Sequence, residues 1–196
     1  MTGSPLTQVC NFVDSILTPA GFRRKKTTYN RSLSGGIVDL LHLQEGVQHA
    51  NQVAVNIGVH FRRSAEMLGE DSPPWIDLSH CHVRSRLNAI SECDEWINLE
   101  DAENANGSLR PSIRQFAFAF WEQLSSVDAV LRHWKNQTFP PTDIVNTSAI
   151  AALMVDCGDF VGAKKLLWEM RQWRLANKLN PKIIDEDAEK LGIVLT

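Results

Sequence analysis

The stretch from Gln52 to Arg62 constrains the fold more than any other. Val53, Val55, Ile57, Val59 and Phe61 alternate with Ala54, Asn56, Gly58, His60 and Arg62. A period of two over this length describes a β-strand with one face on a core and one polar face. A second alternating run follows at His80–Leu87. Cys81, Val83, Ser85 and Leu87 fall on one side, and His80, His82, Arg84 and Arg86 on the other. Upstream, Thr27–Arg31 is β-prone, Ser34-Gly35-Gly36 is a hairpin turn, and Ile37–Gln44 is a further strand. Short sequential strands joined by tight turns predict an antiparallel meander of four strands.

Helices flank this sheet. Ser4-Pro5 reads as a cap and first residue, with Leu6, Val9, Val13, Ile16 and Leu17 at helical spacing, so a helix is predicted over 5–17. Ile113, Phe116, Phe120, Leu124, Val127, Leu131 and Trp134 form one apolar stripe, which predicts a single long helix over 109–135. Asp143 and Asp159 are expected to cap two more helices, and Asn180-Pro181 opens a last one that Gly192 closes. The expected fold is α+β: an N-terminal helix and a four-stranded antiparallel sheet, then a C-terminal bundle of about four helices. The sheet region covers 1–105 and the helical region 106–196, packed together as one unit. Residues 64–79, with Gly69, Pro73 and Pro74, read as a loop.

Charge disfavours one function class and hydropathy another. The net charge of the 196 residues is −3. Residues 1–100 carry 9 Lys and Arg against 11 Asp and Glu, and the remainder carries 11 against 12, so neither half is built to neutralise a phosphate backbone. Nucleic-acid binding would have to rest on the short basic run Arg23–Arg31, with Tyr29 or Trp75 for stacking, and that is disfavoured. No stretch has the length and apolarity of a membrane span. The N-terminus shows no signal-peptide pattern, and Cys10, Cys81, Cys93 and Cys157 have no framework spacing, so reduced thiols and a cytoplasmic location are expected.

The motifs for chemistry are missing. There is no G-x-S-x-G, no glycine-rich phosphate loop and no H-E-x-x-H, and the chain leans away from being an enzyme. His80, Cys81, His82 and Cys93 could ligate a metal only by converging. On a strand, Cys81 faces away from the two histidines, so neither metal nor cofactor is expected.

Two binding surfaces remain. Asn56, His60, His82, Arg84 and Arg86 share the polar sheet face, with His42 able to join them. Two guanidinium groups beside imidazoles would hold an anion or carboxylate, and Gly58 would let it approach the backbone. The competing reading is an ordinary solvated sheet face. Asp94, Glu95, Glu100 and Asp101 form an acidic segment that could meet a basic partner.

Several segments resemble a bacterial family known as domain of unknown function 4304. They are Ala20-Gly21-Phe22-Arg23-Arg24-Lys25, Thr28-Tyr29-Asn30-Arg31, Leu43-Gln44, Val55-Asn56-Ile57-Gly58-Val59 and Cys81-His82-Val83-Arg84-Ser85-Arg86. The resemblance spans about residues 5–100 and brings no catalytic residue. It implies a bacterial α+β protein of a kind often encoded near toxin or defence loci. The resulting expectation is a non-catalytic protein-binding protein, of interaction or toxin-immunity type, with self-association left open. The alternative is a small-ligand or anion binder, or an enzyme, that uses the polar sheet face.

Overall fold

The computed structural model describes residues 4–46, 52–87, 96–98, 107, 109–138 and 144–195. The fold is α+β. α1 (Pro5–Leu17) is capped by Ser4, whose side chain accepts from the Thr7 amide, with Pro5 as its first residue. The sheet follows: β1 (Arg23–Lys25), β2 (Thr28–Ser32), β3 (Ile37–Glu45), β4 (Gln52–Phe61), β5 (Val83–Arg86), β6 (Ile97–Asn98) and β7 (Ile144–Val145). The strand order is β1-β2-β3-β4-β5-β7, every pair antiparallel, with β6 also on β4.

Among the described residues seven strands therefore replace the expected four. Lys26 adopts a left-handed φ of 58°, which folds the basic run back so that β1 and β2 become a hairpin instead of one strand. β7 joins the sheet from the second half of the chain, too short at two residues to show a period. Gly35 and Gly36, at φ 75° and 76°, make the β2–β3 turn as expected.

The expected helical bundle is also redrawn. α2 (Arg62–Met67) starts where β4 ends and occupies part of the expected loop. A π-helical turn at Ile113–Ala117 runs into α3 (Phe118–Gln123), and α4 (Val127–Lys135) begins only after a break. Leu124 leaves the helical region at φ −112°, ψ 17°, and Ser126 caps α4 by accepting from the Ala129 amide. Ser125-Ser126 is the local signal for that break; the unbroken apolar stripe conceals it. α5 (Thr147–Asp156) is capped by Asn146, while Asp143 lies outside the described residues. Asp159 caps α6 (Phe160–Ala176) as expected, and α7 (Lys182–Lys190) completes the described helices. None of these helices is long and apolar enough to cross a membrane.

One sheet face carries the main core. Tyr29, Leu41, Val55, Ile57, Val59 and Val83 pack with Val9, Val13 and Leu17 of α1 and with Trp121 of α3. Trp121 is fully buried and donates to the Gly58 carbonyl; Trp168 and Trp173 are exposed. On this face the cations are neutralised. Arg24 pairs with Asp14 at 3.2 Å, and Arg31 meets the fully buried Asp39 at 2.7 Å while lying over the rings of Phe22 and Trp121.

Candidate anion-binding site

The opposite sheet face is crossed by residues 70–81, a strap that returns from α2 to β5. The polar residues of this face hold the strap. The Asn30 amide nitrogen donates to the Ile76 carbonyl at 3.0 Å, and its oxygen accepts from the Ile76 amide at 2.8 Å. Arg62 donates to the carbonyls of Ser72, Pro73 and Pro74. Ile76, Leu78 and Cys81 pack on Val38 and Leu40.

His60 and His82 lie beneath this strap, 1% and 2% exposed. They do not form the accessible platform expected of them. Their rings stack 4.7 Å apart, and each tautomer follows from its partners. His60 Nδ1–H donates to the His80 carbonyl at 2.7 Å, so its Nε2 accepts from the Ser72 hydroxyl at 3.0 Å. His82 Nδ1 accepts from the Phe61 amide, leaving Nε2–H to meet Glu70 at 3.1 Å. Burial lowers the His60 pKa to about 4, and the neighbouring His82 and Arg62 push the same way. The Ser72–His60 pair has the reach of a nucleophile and base, but an imidazole held neutral to that pH is a weak base. It acts as a lock on the strap.

Gly58 also has a different use from the one expected. A Cβ there would stand 2.7 Å from Cys81 Sγ, so the space above the glycine admits the strap's own thiol, not a ligand. Among the described residues no three His, Cys, Asp or Glu side chains come together as a metal site, and Cys93 lies outside them.

Asn56, Arg84 and Arg86 do come together. Asn56 faces Arg86 across β4 and β5, and Gly58 faces Arg84, so both guanidinium stems leave the same face. With Leu78, Ser85 and Ile144 they line a pocket of about 240 Å³. Asn56 is held by a bond from its amide to Gln44 at 3.1 Å. Arg86 lies over the ring of Trp96, 5.3 Å from its centroid. Among the described residues neither arginine has an ion pair, and the Nε of Arg84 is buried without a hydrogen-bond partner. A buried donor without an acceptor costs about 1–3 kcal/mol, more when it is charged. The strap supplies Leu78 and the late strand β7 supplies Ile144. Sequence reasoning missed both, because neither is adjacent to the arginines in the chain.

The pocket walls, apart from Ile144, fall within one continuous stretch of sequence homology. A family described as a domain of unknown function (DUF4304) matches residues 13–125. The chain belongs to that family. The match runs from within α1 to the end of α3, so β1–β6, the strap and Trp121 all fall inside it. No curated protein and no solved structure matches the chain. Asp94, Glu95, Glu100 and Asp101, the expected acidic surface, lie outside the described residues.

Proposed function

We propose that this protein is a non-catalytic recognition protein that captures a carboxylate of a protein partner between Asn56, Arg84 and Arg86. The carrying observation is a pocket lined by two arginines that have no ion pair among the described residues, the buried Nε of Arg84 being also without a hydrogen-bond partner. Guanidinium groups offer planar, forked donors that match a carboxylate, and the two that line this pocket have no carboxylate partner among the described residues. Size supports a side chain or chain terminus as the occupant. At about 240 Å³ the pocket is smaller than the ~300–1,000 Å³ of typical small-molecule sites. Among the described residues no imidazole or carboxylate lines it, so they offer no proton donor or acceptor of ordinary catalytic type there.

An NMR titration with a diglutamate peptide, acetylated and amidated at its ends, tests this reading. The expected result is saturable shifts confined to β4, β5 and β7, weakened by salt and absent in Arg84→Gln and Arg86→Gln. Shifts that persist unchanged in both variants would refute it.

A further inference from the structure

The pocket is one end of a longer trough. Strand register places Lys25 opposite Thr28, Thr28 opposite His42, His42 opposite Asn56, and Asn56 opposite Arg86. These five residues form one row across β1–β5, all on the face that carries the strap. At about 4.8 Å between strands, the row spans about 19 Å.

Three of the five floor a second cavity. Lys25, Lys26, Thr27, Thr28 and His42, with Pro73, Pro74, Trp75 and Asp77 of the strap, enclose about 630 Å³. The two cavities are neighbours along both walls. His42 of one is the cross-strand partner of Asn56 of the other, and Asp77 of one precedes Leu78 of the other. Together they follow the edge of the strap.

Charge in the trough is strongly one-sided. Among the described residues Lys25, Lys26, Arg84 and Arg86 line it against the single carboxylate of Asp77. None of the four cations has an ion pair among the described residues, whereas Arg24 and Arg31 on the opposite face of β1 and β2 are paired. Strand alternation turns Arg24 and Arg31 to the core side and Lys25, Arg84 and Arg86 to the trough side, and Lys26 follows Lys25 in the turn. This happens in a chain whose net charge is −3. Between the charged ends the floor is neutral and hydrogen-bonding. Burial lowers the pKa of His42, and the Thr28 hydroxyl meets its Nδ1 at 3.0 Å.

We infer that the trough binds an extended acidic peptide segment laid across the strands, with one carboxylate at Arg84 and Arg86 and another about 19 Å away at Lys25 and Lys26. This rests on the carboxylate pocket proposed above and names its partner. An extended chain advances about 3.3 Å per residue, so the span fits about six residues. Thr28, His42 and Asn56 face the peptide backbone, and Trp75 with Pro74 provides an apolar wall for the side-chain stems. A segment with carboxylates at both ends bridges two sites that a dipeptide cannot reach together, so its affinity exceeds that of either contact alone.

The test compares diglutamate and hexaglutamate peptides, both acetylated and amidated, with hexauridylate. Binding is followed by NMR titration or calorimetry on the whole chain, with thermal unfolding as the check that each variant folds. The hexapeptide should bind at least ~10-fold more tightly than the dipeptide. Lys25→Gln with Lys26→Gln should erase that advantage while leaving dipeptide affinity unchanged. Equal affinity for the two peptides, or an advantage that survives the lysine variants, overturns the trough. The pocket then stands only if Arg86→Gln still abolishes dipeptide binding. If neither peptide binds, both readings fall. If hexauridylate binds more tightly than hexaglutamate and Trp75→Ala removes that binding, the occupant is single-stranded nucleic acid and the peptide assignment is wrong.

Discussion

Two buried groups make opposite contributions to stability in mild acid, and separating them tests how the strap is held. Burial lowers the His60 pKa from 6.5 to about 4. The unfolded chain then binds a proton that the folded chain refuses, so stability falls as pH drops from about 6.5 towards 4. Asp39 behaves in the opposite sense. Burial raises its pKa from 3.8 to about 6, against the pull of Arg31, and its Oδ1 has no hydrogen-bond partner. The folded chain takes up this proton first, so stability rises as pH falls through 6. At about 1.36 kcal/mol per pKa unit, each group moves stability by about 2 kcal/mol between pH 7 and pH 4.5, in opposite directions. The wild type should therefore hold nearly constant stability over this interval. Asp39→Asn removes the rising contribution and should lose about 2 kcal/mol between the two pH values. Its lower starting stability, from the broken pair with Arg31, does not enter this difference. His42, lowered by burial, and Glu70, lowered by its bond to His82, add smaller losses of the same sign on acidification. Adding His60→Gln to Asp39→Asn should flatten most of the slope. Urea unfolding followed by tryptophan fluorescence at the two pH values gives each number. If Asp39→Asn itself changes by less than about 0.5 kcal/mol between the two pH values, His60 is not held neutral beneath the strap and the lock is wrongly described.

Two further substitutions probe how the strap is seated. Gly58→Ala places a Cβ 2.7 Å from Cys81 Sγ and 2.9 Å from its Cβ, and overpacking of this kind costs about 1–3 kcal/mol in urea unfolding. Cys81→Ala should recover part of that loss and not all, because the nearby Cβ remains; no recovery would mean that the strap does not cover Gly58. Asn30→Ala strips both backbone groups of Ile76 of their partner, and a loss of about 2–3 kcal/mol is expected. Hydrogen exchange at Ile76 should accelerate while α6 stays protected, and equal exchange at both places would show the strap to be held elsewhere.

The outline of the sheet is legible because alternation is a local property. Val53 to Phe61 announce β4, and the period of two puts Arg84 and Arg86 on the same face as Asn56, with His60 and His82 stacked beside them. Caps at Ser4 and Asp159 are legible for the same reason, since each acts within three residues of its own position. The division of the basic run is not legible. A positive φ at Lys26 is uncommon for a lysine, and nothing beside it in the chain signals the turn.

A residue's type and its neighbours decided which side chains share a face, because a strand's period of two leaves no freedom there. They did not decide which part of that face meets water. That depended on a strap whose anchors lie far away in the chain: Asn30 holds Ile76 across 46 positions, His60 holds His80 across 20, and Ile144 closes the pocket from the far end of the sheet. Hydrogen bonds and packing of that range exist only once the chain is folded. The same polar alternation therefore produced two buried histidines and two arginines with no ion pair among the described residues, and tertiary structure alone separated the lock from the proposed site.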